Sequence, residues 1–274
     1  PLYLQMKFSS IFQTNFPFSP LRFPFFYGWC IVIFTTLGMI ASIPGQTMGV
    51  GVYTDYLIQN SHLNRMQISM AYMTGTILSS LLLPLAGRYY DLVGGRIMIV
   101  FAGIGMGISL LLFAESLTII HLVHSLLPNI SILTSELLVI TVIFLLLRQF
   151  GQGIMAMVSR NTLAKWFDRR RGMVSGISGI FVAFSFSGAP LFMNIIIEDY
   201  GYSGSMILMA FIFGFGMAFI GWLFFRDKPE DCGLLMDGDK ITSLVTTNLF
   251  PEPETTLKEA LRTYNFWIFC LGLC

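Results

Sequence analysis

The chain has 274 residues, of which 55% are hydrophobic and 11% are charged, and its formal net charge at pH 7 is +1. Soluble domains carry about 25% charged residues, so this composition excludes an ordinary water-exposed domain and predicts a protein embedded in the lipid bilayer. The net charge of +1 gives no indication of a nucleic-acid partner, and none is expected. The four cysteines lack the spacing of a disulfide or zinc framework.

Apolar windows of about 20 residues mark the predicted transmembrane helices. They cover residues 27–53, 68–85, 97–113, 137–166, 173–197 and 205–225. Residues 117–133 are apolar too, but polar residues and Pro128 interrupt them, which favours an extracellular excursion such as a re-entrant or interfacial helix. His121 and His124 in this stretch have no third ligand and predict no metal site.

The predicted organisation is an N-terminal segment (1–26), a six-helix transmembrane half (27–225), a central loop (226–265) and the start of a seventh helix (266–274). The sequence stops inside this last apolar run, as a fragment would. The fold class is therefore expected to be all-α and polytopic.

The first window contains a break at Pro44-Gly45. Discontinuous helices near the bilayer midplane commonly line a transporter cavity, where freed backbone groups meet the solute. Gln46 and Thr47 follow the break and are candidate cavity residues. A packing kink between small residues is the alternative.

Basic residues indicate the orientation of the chain, because short loops rich in Lys and Arg stay in the cytoplasm. With a cytoplasmic N-terminus, all of the 16 basic residues except Arg65 and Arg148 lie on or near the cytoplasmic side. On this topology the N-terminus, the 165–172 loop and the 226–262 loop are cytoplasmic, and Cys232 is shielded from impermeant reagents in intact cells.

Residues 87–96 read Gly-Arg-Tyr-Tyr-Asp-Leu-Val-Gly-Gly-Arg between the second and third windows. This run resembles the G-x-x-x-D-R-x-G-R-R loop of the major facilitator superfamily, with Gly87, Asp91, Gly94 and Arg96 in matching places. The resemblance implies a cytoplasmic gate, in which Gly87 allows close helix contact and Asp91 offers its carboxylate to a helix N-terminus or an arginine. A tight basic turn without a gating role is the alternative.

Arg148 lies inside an apolar window, where an ionisable residue costs roughly 2.5–3.5 kcal/mol on insertion scales and usually faces a polar path. The run Arg148-x-x-Gly151-Gln152-Gly153 is close to the fourth-helix pattern of the same superfamily. A planar guanidinium binds carboxylates in a bidentate manner, so Arg148 and Gln152 are candidate substrate-binding residues. A purely structural role for Arg148 is equally compatible with the sequence.

Two further runs resemble the oxalate/formate antiporter and monocarboxylate transporter branches of that superfamily. They are Lys165-Trp166-Phe167 followed by Arg169–Gly172, and the stretch from Arg226 to Gly238 with its Pro-Glu-Asp-x-Gly core. Each run also has a purely structural interpretation. The first can serve only to fix the membrane orientation, and the second can serve only to end the preceding helix.

Together these resemblances imply the N-terminal half of a secondary transporter that moves small solutes by alternating access, without a cofactor or enzymatic chemistry. The expected solutes are organic anions, mono- or dicarboxylates. A coupled proton or an exchanged anion, a missing C-terminal half and a plasma-membrane location are further expectations. The alternative is a transporter-like receptor or scaffold that binds a solute without moving it.

Overall fold

The computed structural model describes residues 16–238, 259, 261–264 and 266–268. By contacts the chain divides into two units, Pro1–Gly238 and Asp239–Cys274. In the described part of the first unit, helices α1 to α9 cover Gly28–Ala41, Thr47–Asn60, Arg65–Val93, Gly95–Ala114, Ser116–Leu126, Ile132–Arg148, Ala156–Trp166, Arg171–Met209 and Met217–Phe224. The all-α prediction is confirmed.

The first predicted span is broken where the sequence indicated. Helix α1 ends at Ala41, a short 3₁₀ turn covers Ile43–Gly45, and α2 starts at Thr47. Pro44 lacks the N–H that would continue the helix. Gly45 is required by close packing, since a Cβ there would lie 2.3 Å from the carbonyl oxygen of Leu147 on α6.

Helix α3 begins at a capping box, in which the Asn64 side chain and the Gln67 side chain each bind the other's backbone N–H. It runs unbroken past Pro84 to Val93, and Gly94 turns the chain into α4 with a φ of 86°. Both helices extend beyond the predicted windows, and each is long and apolar enough to cross a bilayer.

The fourth predicted span is continuous from Ile132 to Trp166. Helices α6 and α7 are joined by a π-helical stretch, Gln149–Met155, so the helix widens for seven residues in its middle. Such stretches are rare and are found frequently at functional sites.

The fifth and sixth predicted spans form one 54-residue apolar stretch, Arg171–Phe224, which would be about 80 Å long if straight. It is bent at Gly201, whose φ is 70°. Ala189 and Phe213, each twelve residues from Gly201, line the same cavity. The stretch therefore folds back on itself as two antiparallel helices, in agreement with two predicted spans.

The apolar residues 117–133 contain most of one short helix, α5, then non-helical chain over residues 127–131, and then the first residues of α6. Helix α4 is the most enclosed of the long helices, with 56% of its apolar window buried, compared with 22% for α3. The bundle thus wraps around α4, while α3 lies at its edge.

In the second unit, residues 264 and 266–268 are helical. The predicted seventh span begins there, and its residues 269–274 lie outside the described residues.

Candidate functional site

A polar cavity of about 440 Å³ lies between the first, second, fourth and fifth predicted spans. It brings together three of the four predicted substrate-binding residues, Gln46, Arg148 and Gln152. Its remaining lining includes Thr76, Ser79, Ser80, Leu83, Gly153, Ala156, Met157, Arg160, Asn161 and Phe186. The described lining carries no carboxylate, so the cavity is cationic.

Arg148 contributes an unpaired guanidinium to this cavity. Its Nη1 atom is buried and has no hydrogen-bond partner in the described part of the chain. Its Cζ lies 5.5 Å from the centroid of the Tyr72 ring, a cation–π contact. Because a buried donor without a partner costs about 1–3 kcal/mol, a charged acceptor that enters the cavity would be bound favourably.

Thr47, the fourth predicted residue, does not line this cavity. Its Oγ1 atom shares a 2.9 Å hydrogen bond with the hydroxyl of Tyr72, the ring that contacts Arg148. Thr47 is exposed at the first turn of α2. Its connection to the cavity is indirect, by way of the hydrogen bond to Tyr72.

The sequence interpretation missed the polar face of α3. Thr76, Ser79 and Ser80 all line the cavity, and the Oγ1 atom of Thr76 is buried without a partner among the described residues. Ser79 donates a 2.9 Å hydrogen bond to the side chain of Gln149 in the π-helical stretch. Their spacing, three and four residues apart, places them on one helix face, and this spacing was the available signal.

The second candidate region is the segment 87–96, which the sequence analysis expected to be a loop but which is helical except at Gly94. In this segment, Arg96 is buried and bonded to backbone carbonyls. Its Nε and Nη2 atoms donate to the Trp222 carbonyl at 2.8 and 2.6 Å, and Nη2 also donates to the Phe16 carbonyl at 2.8 Å. Arg96 therefore ties the end of α9 and the N-terminal segment to the start of α4.

The carboxylate at the N-terminus of α4 comes from Asp227, whereas the sequence interpretation expected Asp91 in such a position. The backbone N–H of Arg96 donates to Asp227 Oδ1 at 2.8 Å. A Cβ on Gly94 would lie 2.2 Å from Asp227 Oδ2, so glycine leaves the room that this contact needs. Asp91 is exposed, and its carboxylate accepts no hydrogen bond within the described residues.

Gly87 was expected to allow close helix contact. A Cβ built on it meets no atom within 4 Å in the described part of the chain, so the expectation of close packing at Gly87 is not met there.

A second acid caps the chain before α8. Asp237 is buried, and its carboxylate accepts hydrogen bonds from the backbone N–H groups of Asp168, Arg169 and Arg170 at 3.1, 2.9 and 3.2 Å. Asp227 and Asp237 both belong to the run 226–238, which we call the clasp segment. It packs with the bundle, although the sequence interpretation assigned it to the central loop.

Burial shapes the chemistry of the clasp segment. It raises the pKa of Asp227 above its ordinary value, against the opposing effect of the Arg96 backbone hydrogen bond. It also raises the pKa of Cys232 to about 12, so this thiol is a poor nucleophile at neutral pH. We call the end of the bundle that carries the clasp segment and residues 165–171 the basic end.

Among the described residues, no group of three or more His, Cys, Asp or Glu side chains could hold a metal ion. The lining of the cavity offers guanidinium, amide and hydroxyl groups, which suit a small polar or anionic solute.

The sequence model of the Major Facilitator Superfamily matches residues 34–274. A search of the curated proteins found no match.

Proposed function

Because the chain belongs to the Major Facilitator Superfamily, and is thus a multi-pass membrane transporter and not an enzyme, we propose that it carries small organic anions, mono- or dicarboxylates, by alternating access. A coupled proton or an exchanged anion would drive the movement. The observation that carries the choice of substrate is the unpartnered, buried Nη1 of Arg148 in a cavity whose described lining has no acid.

Each predicted site residue has a role in this proposal. The Arg148 guanidinium binds a carboxylate with two parallel hydrogen bonds. The amides of Gln46 and Gln152 line the same space and can donate to the substrate's remaining oxygens. Thr47 acts indirectly, because its hydrogen bond to the Tyr72 hydroxyl holds the Tyr72 ring against Arg148.

Alternating access needs contacts that form in one state and open in the other. The segment 87–96, where α3 turns into α4, is the proposed gate, with Gly94 and Arg96 fixing its base and the exposed Asp91 free to pair across the gate. Gly87 leaves open space beside it. Asp91→Asn should slow transport and leave equilibrium binding nearly intact; lost affinity with a normal turnover rate would contradict this role.

We propose that the basic end faces the cytoplasm, because the excess of Lys and Arg lies there. We also propose the plasma membrane as the location. Cys232 cannot test this orientation, since it is buried and its pKa is about 12. The exposed positions Glu230 and Gln59 can. In a cysteine-free background, an impermeant maleimide should label Gln59→Cys in intact cells and label Glu230→Cys only after lysis; the reverse pattern would invert the topology.

The function is tested by uptake of radiolabelled acetate, oxalate and succinate into vesicles that contain the full-length protein. Saturable uptake of at least one anion, reduced in Arg148→Lys, is the expected result. Binding of these anions without uptake would favour a receptor, and neither binding nor uptake would refute the anion proposal.

A further inference from the structure

Arg160 lies where two cavities meet. It lines the cavity of Arg148, and it also lines a second cavity of about 330 Å³ between α1, α7 and α8. The second cavity is lined in part by hydroxyl groups, those of Thr35, Ser159, Ser175 and Ser178. Arg160 therefore connects the candidate binding site to a second polar space.

The π-helical stretch explains why Arg148 and Arg160 face the same cavity. Twelve α-helical residues at about 100° each would leave them about 120° apart around the helix axis. The seven residues of Gln149–Met155 follow wider π-helical turns, which rotate less per residue and offset this difference. The two residues are thus brought to one side of the helix, and their backbone positions are about 18 Å apart along the axis.

Arg160 is exposed to these cavities, whereas most of α7 is buried. No ion pair to it is formed within the described residues, and neither cavity's described lining includes an acid. Beside it, Ser159 is 1% exposed and its Oγ has no hydrogen-bond partner there. Arg160 also lies five residues before Lys165, so it is about 7–8 Å from the basic end, compared with about 25 Å for Arg148.

We propose that Arg160 is a second anion-binding residue, which holds the carboxylate substrate between the Arg148 position and the basic end. This inference rests on the proposed function. The anion meets Arg160 first when it enters from the basic end and last when it leaves there. The hydroxyl groups of Ser175 and Ser178 flank this position and can donate further hydrogen bonds to the carboxylate.

The test is a comparison of KM from the two sides of the membrane. Uptake of acetate, oxalate and succinate is measured with full-length protein in vesicles whose bath faces the basic end, and in vesicles of opposite orientation. The variants are Arg160→Gln, Arg160→Lys and Arg148→Lys, and the control is Arg22→Gln, which removes an exposed charge outside both cavities.

Arg160→Gln should raise KM about tenfold for entry from the basic end, the scale of one lost charge-assisted hydrogen bond, and change it less than about twofold from the other side. Arg160→Lys should recover part of the loss, and the melting temperature should not change. Arg148→Lys should raise KM from both sides.

Two other outcomes are distinguishable. If Arg148→Lys is impaired but Arg160→Gln behaves like Arg22→Gln, or is impaired equally from both sides, the second site is refuted and the proposed function stands. If the wild-type protein takes up none of the three anions, the proposed function fails and the second site fails with it.

Discussion

The basic end and the central cavity use the same residue type in opposite ways. At the basic end, Arg96 is buried and donates to two backbone carbonyls, and Asp227 and Asp237 accept from backbone N–H groups. In the cavity, Arg148 keeps a buried nitrogen without a partner. The difference indicates that the buried Arg96 at the basic end stabilises the fold through its hydrogen bonds, while the charge of Arg148 in the cavity is left available for a ligand.

The largest expected effect on stability is at Arg96, and it tests whether the arginine of the basic end is structural. Arg96→Met should lower the stability of the bundle by about 3 kcal/mol, because it removes several charge-assisted hydrogen bonds and leaves the Trp222 carbonyl unpaired. The melting temperature in detergent measures it. Arg148→Met is the matched control and should not lower the melting temperature, because it removes a buried donor that has no partner among the described residues. Equal losses in the two variants would mean that both arginines are structural.

A smaller effect is expected at Asp237, whose carboxylate accepts from three successive N–H groups before α8. Removal of such a cap costs about 1–2 kcal/mol. Asp237 has a φ of 59°, which glycine adopts without strain, so Asp237→Gly isolates the loss of the carboxylate. Asp237→Asn keeps an acceptor and should be less affected. A melting temperature unchanged in Asp237→Gly would show that this contact contributes little.

The smallest effect concerns the pH dependence contributed by Asp227. Since burial raises the pKa of Asp227 in the folded state, the folded protein binds more protons than the unfolded chain between the ordinary and the raised pKa. Stability from this group is therefore present at low pH and is lost as pH rises through that window. The difference in melting temperature between wild type and Asp227→Asn should shift in favour of the variant as pH rises. A difference independent of pH would contradict this.

The sequence predicted much of the fold, because helix breaks and apolar windows are local. The interruption at Pro44 lies where it was expected, and the long helices cover their predicted windows with extensions of a few residues. The fold-back at Gly201 likewise separates two predicted spans.

The clasp segment could not be predicted in the same way, because its contacts are distant in sequence. Asp227 reaches Arg96 across 131 residues, and Asp237 reaches Arg169 across 68. Motif resemblance alone placed an acid near a helix N-terminus but suggested Asp91, which is close in sequence and exposed in the structure. Helix capping by a remote carboxylate requires knowledge of tertiary packing.

The cavity was predicted in part. Gln46, Arg148 and Gln152 line one cavity, whereas the sequence interpretation uses Arg160 only as one of the basic residues that mark the cytoplasmic side. Its place in the cavity depends on the π-helical stretch Gln149–Met155, which shifts the helical phase. A regular 3.6-residue period places Arg160 on a different face from Arg148, so periodicity could not have found it.

The central claim, that the cavity arginine is free to bind an anion, is tested most directly by anion-dependent thermal stabilisation of the full-length protein. Wild type and Arg148→Lys are melted over a range of oxalate, acetate and succinate concentrations, with chloride at matched ionic strength as the control. A ligand that binds only the folded state raises its melting temperature. We expect similar melting temperatures of the two proteins without ligand. In wild type the melting temperature should rise and saturate with anion concentration. Arg148→Lys should need about tenfold more anion for the same rise, because lysine lacks the planar guanidinium. Equal stabilisation of both proteins would contradict the claim and give Arg148 a structural role.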